Sequence, residues 1–73
     1  MIGYEIRDEL TSIAAKVSSD AKMFGWSAAA AEAHAVSMHG YRYDKLAIAN
    51  GNGSNIGELR QYVVSACHAR GIY

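Results

Sequence analysis

The sequence predicts a mostly α-helical fold: a compact bundle of about three helices forming one small domain over residues 1–73. Three observations predict it. Apolar residues recur at helical spacing near both ends, an alanine-rich run fills the middle, and proline is absent. Alanine loses no side-chain entropy in a helix and proline breaks one, so both facts favour helix.

Residues 1–25 read as the first helix, most regular over 4–20. Ile2, Ile6, Leu10, Ile13 and Val17 follow one another at spacings of four, four, three and four, which is one helical face. Glu5, Asp8 and Glu9 lie early and Lys16 and Lys22 late, as the helix dipole prefers. Ser18-Ser19-Asp20 weakens the end, and Gly25 is a stop or turn residue. Met23, Phe24 and Trp26 are expected to fold this corner onto the core.

Ser27 is a good N-cap for a second helix over 27–39. Six alanines in the eight residues 28–35 make it the strongest local helix signal and the central packing element. Ala31, Ala35 and Met38 share its apolar face, with Ala29, Ala33 and Val36 widening it and His34 partly buried beside Met38. Gly40 is expected to end this helix.

The stretch 41–49, YRYDKLAIA, reads either as a short helix capped by Asp44 or as a strand. Alternation leaves neither side cleanly apolar, so the helix is favoured. Asn50-Gly51-Asn52-Gly53 is a loop whose residues tolerate positive φ. The third helix, over 55–70, is the best punctuated. Asn55 and Glu58 form a capping box. Ile56, Leu59, Val63 and Ala66 or Cys67 share a face, and Gly71 followed by Ile72 suits a Schellman end.

Composition excludes several classes of function. Thirteen of the hydrophobic residues are alanine, so large core residues are scarce and a surface site is easier to build than a deep pocket. A chain this short buries only roughly 60% of its unfolded surface. Formal net charge is zero, without the basic excess of a non-specific nucleic-acid binder. No apolar run approaches the length of a spanning helix, so no membrane partner is expected. The single cysteine, Cys67, forms no internal disulfide, and the N-terminus lacks the pattern of a signal peptide. Both facts fit a cytoplasmic setting.

No chemical motif is complete. His34, His39, His68 and Cys67 have spacings unsuited to a zinc site, so no metal or other cofactor is expected. Cys67 falls on or beside an apolar helix face near a C-terminal end, where the dipole disfavours a thiolate, so it reads as a packed cysteine. Asn50–Asn55 lacks the strand and lysine of a phosphate-binding loop. A helix-turn-helix needs apolar residues where Asp20, His34 or His39 fall. The chain is therefore expected not to be an enzyme.

Tyr41, Arg42, Tyr43 and Lys45 are the leading partner-binding candidates. Tyrosine and arginine combine contact area with hydrogen bonding, and interfaces are enriched in them. The competing reading places both tyrosines in a small core. Interleaved aromatic and basic residues also suit stacking on single-stranded bases, which makes a small DNA- or RNA-binding module the alternative. Glu5, Asp8 and Glu9 form a second candidate patch.

In length, in its single compact domain, in its lack of catalytic groups and in its acidic-aliphatic start MIGYEIRDEL, the chain is similar to the small bacteriophage-encoded transcription regulators of antiterminator type. That resemblance implies a non-enzymatic protein that binds host RNA polymerase, inhibits initiation and reduces termination, in the cytoplasm of the bacterial host.

Overall fold

A computed structural model describes residues 2–49, 51 and 56–73, with side chains described from residue 7 onward. Three helices pack pairwise against one another: α1, Ile2–Phe24; α2, Ala28–Ala49; and α3, Ile56–Ala69. The bundle measures 36 × 20 × 15 Å. Among the described residues there is no strand, and no helix is long and apolar enough to cross a membrane.

α1 and α3 each supply a stripe of larger side chains. Leu10, Ile13, Ala14, Val17 and Ala21 of α1 meet Leu59, Val63 and Cys67 of α3. α2 adds alanines at 28, 31, 35 and 47 together with Tyr43. Small side chains on α2 let its backbone approach the other helices, and Tyr43 fills the space they leave toward its C-terminal half.

The helix ends follow their local chemistry. Gly25 takes φ 76°, and the Trp26 amide donates to the Ala21 carbonyl at 3.0 Å, a Schellman closure of α1. Ser27 Oγ accepts the Ala30 amide at 3.1 Å and caps α2. α3 ends as its sequence predicts: the Ile72 amide donates to Cys67 and the Gly71 amide to His68, with Gly71 at φ 78°. Gly51 takes φ 77°, as the Asn-Gly loop requires. The capping box on Asn55 and the remainder of the loop lie outside the described residues.

Five expectations are corrected. Gly40 does not end a helix, and Asp44 does not cap one, because α2 runs unbroken from Ala28 to Ala49. Gly40 is buried, and a Cβ there would stand 3.3 Å from Ile56 Cδ1. The glycine serves the close passage of α2 past the start of α3. Nor does Ser18 weaken α1. Its fully buried hydroxyl donates to the Ala15 carbonyl at 3.2 Å and accepts from Arg70 Nε at 2.9 Å, so a polar group sits in the core with its bonds made. Met38, Ala29 and Ala33 face solvent rather than the core. At the α1–α2 corner only Trp26 packs on the core; Met23 and Phe24 are exposed.

Candidate partner-binding groove

The helical continuity of α2 decides where its candidate residues go. Each residue turns about 100° around the axis, so Tyr41 and Tyr43 face directions about 160° apart. Tyr43 is 1% exposed and Tyr41 77%. The core reading of the tyrosines therefore holds for Tyr43 alone. The Tyr43 hydroxyl donates to Glu58 Oε1 at 3.4 Å, and burial, then the neighbouring Glu58 charge, push its pKa up. A group in that position supports the α2–α3 contact and does not present itself to a partner.

Tyr41, Arg42 and Lys45 remain on the surface, and the structure brings them to Glu9. Arg42 Nη1 lies 3.4 Å from Glu9 Oε2, with the arginine side chain 73% and the glutamate side chain 19% exposed. Lys45 Nζ lies 5.3 Å from the centroid of the Tyr41 ring, a cation–π arrangement across one helical turn. These four residues, with Leu46 and Ala49, line an open groove of about 560 Å³. The two patches inferred separately from sequence thus share one site through Glu9. Asp8 is exposed outside that lining, and the side chain of Glu5 lies outside the described residues. Leu46 and Ala49 were not expected here; their signal is visible only once the phase of α2 is carried past Gly40.

The groove is the exposed edge of the α1–α2 contact, and its electrostatics are mixed. The His39 pKa is lowered first by burial, then by the positive neighbours His34, Arg42 and Lys16, with Glu9 opposing. Elsewhere, Cys67 is fully buried, and burial pushes its thiol up against a smaller opposing effect of Arg70. That is the reverse of what a nucleophilic thiol needs. Among the described residues no three His, Cys, Asp or Glu side chains converge on a point where a metal could sit.

No protein-family model matches the chain, and no curated protein or solved structure matches it.

Proposed function

We propose that this chain is a non-enzymatic regulatory protein that acts by occupying a surface on a larger protein. The observation that carries the reading is the convergence of Glu9, Tyr41, Arg42 and Lys45 on one open groove. A preorganised aromatic and a forked cation at a groove edge are the residue types that dominate binding energy at protein interfaces. The similarity to bacteriophage antiterminators makes host RNA polymerase the first partner to test, with inhibited initiation and reduced termination as the output.

The test is paired. Purified bacterial RNA polymerase is titrated with the wild-type chain and with Tyr41→Ala and Arg42→Ala, and each variant is melted in parallel. A hot-spot truncation should cost about 2 kcal/mol of affinity, roughly thirtyfold, at unchanged melting temperature. Unaltered affinity in both variants removes the groove, and absence of binding removes the polymerase.

Tyr41 beneath Lys45 also supports the alternative of a small RNA- or DNA-binding module. Salt separates the two. Nucleic-acid affinity falls steeply with salt in proportion to the phosphates contacted.

A further inference from the structure

α2 is apolar on two opposite sides. Its core side is covered by α1 and α3. Its outer side carries His34, Met38, Tyr41, Lys45 and Ile48, spaced four, three, four and three residues apart. On a helix these five fall within an arc of about 80°. Met38 is 65% and Ile48 60% exposed, and Tyr41 stands between them. Scattered exposed apolar residues are ordinary; a line of them along one helix marks an interaction surface. The line continues beyond the start of α2, where the Trp26 ring lies 4.6 Å from His34 and the Phe24 ring 5.7 Å from Trp26.

The spacing and the charge define what fits. Alternating steps of three and four are the seam that one helix offers another. The stripe holds His34 and Lys45 and no carboxylate; Asp44, half-buried, flanks it one turn before Ile48, and the neighbouring α1–α2 edge adds Lys16 and Arg42, with Glu9 paired to Arg42. Among the described residues Lys45 has no carboxylate within ion-pairing distance. Two copies pressed stripe to stripe would bury a Lys45 ammonium from each in one seam, and neither stripe supplies a carboxylate to meet it. We infer that the outer stripe of α2 seats a single amphipathic helix of a partner protein, apolar at heptad spacing and flanked by glutamate or aspartate, as a fourth helix on the bundle. The inference rests on the protein-binding reading above and adds the chemistry of the bound segment.

The probe is a 21-residue synthetic helix with leucine at both seam positions of each heptad and glutamate at the flanking ones; its control carries lysine at the flanks. Binding to the full chain is followed by anisotropy of the labelled peptide. The glutamate-flanked peptide should bind at least tenfold more tightly than the lysine-flanked one, and Lys45→Glu should reverse that preference. Tyr41→Lys and Ile48→Lys should each weaken binding at least tenfold at unchanged melting temperature. Equal affinity for the two peptides, or binding that ignores the stripe variants, overturns the inference. So does sedimentation as a dimer that Tyr41→Lys dissolves, which would make a second copy the occupant. Stripe-dependent binding of a 12-nucleotide oligouridine in preference to either peptide also overturns it.

The polymerase titration separates this inference from the reading beneath it. Polymerase binding that Arg42→Ala weakens and Ile48→Lys leaves intact overturns the stripe alone. Charge-selective peptide binding without polymerase binding supports the stripe and removes only the polymerase.

Discussion

Arg42 and Arg70 sit in the two grooves that flank α1, and they are spent differently. In the α1–α3 groove, of about 480 Å³, the exposed Arg70 shares the lining with Ala14, Ala15, Ala66 and Ala69, and its Nε donates to the fully buried hydroxyl of Ser18. In the α1–α2 groove Arg42 reaches Glu9 with most of its side chain in water. One guanidinium is anchored at a buried acceptor and ties the C-terminal turn of α3 to α1. The other makes a surface ion pair, an interaction worth about 0–1 kcal/mol, that a partner can replace without unfolding anything. The two arginines therefore divide into one bonded to a hydroxyl of the core and one held only in a surface ion pair.

The largest expected effect tests the anchored side. Ser18→Val removes the buried hydroxyl, leaves Arg70 Nε without its acceptor and adds volume in the core. It should cost about 2 kcal/mol, read by urea denaturation. Arg70→Ala is milder, because the Ser18 hydroxyl keeps its bond to the Ala15 carbonyl. A loss of about 1 kcal/mol is expected for the hydrogen bond. Arg42→Ala should change stability by less than about 0.5 kcal/mol, as a surface substitution does. If Arg42→Ala destabilises as much as Arg70→Ala, the division between the two arginines fails.

The smallest effect concerns protonation at the α1–α2 edge. The His39 pKa in the folded chain lies below its ordinary value of 6.5, first through burial and then through its positive neighbours. Protonation therefore favours the unfolded chain. The contribution of His39 is complete above 6.5 and is lost as pH falls through the lowered value. A shallow loss of melting temperature across that window, flattened in His39→Gln, is the expected result. NMR titration of His39 in Arg42→Ala should move its pKa upward, since one of the opposing charges is gone.

Most of the fold was legible because helix ends and helix faces are local properties. Ser27, Gly25, Gly71 and Ile72 act at their own positions through their own backbone groups, and the faces of α1 and α3 repeat over several turns. Gly40 was not legible. A glycine that ends a helix and one that lets two helices approach are the same residue in sequence, and only the position of Ile56, brought close by the fold, tells them apart. That one residue set the phase of everything after it. With α2 broken at Gly40, Tyr41 and Tyr43 fall in one cluster. With α2 continuous they part, and Met38, Tyr41 and Ile48 align on the outer side. The meeting of Glu9 with Arg42 was legible as two patches but not as one, because their contact joins residues of different helices.

The buried position of Cys67 makes the molecule its own clock. An alkylating reagent cannot reach a thiol with no exposed surface, so modification waits for α3 to leave its place between α1 and α2. When reclosing outpaces the reagent, the rate of labelling reports the free energy of that opening; when the reagent outpaces reclosing, it reports the opening rate itself. The sequence holds no second cysteine to compete for the signal. Labelling with and without a bound partner would then convert occupancy of the distant α2 stripe into a measured slowing at a residue the partner never touches.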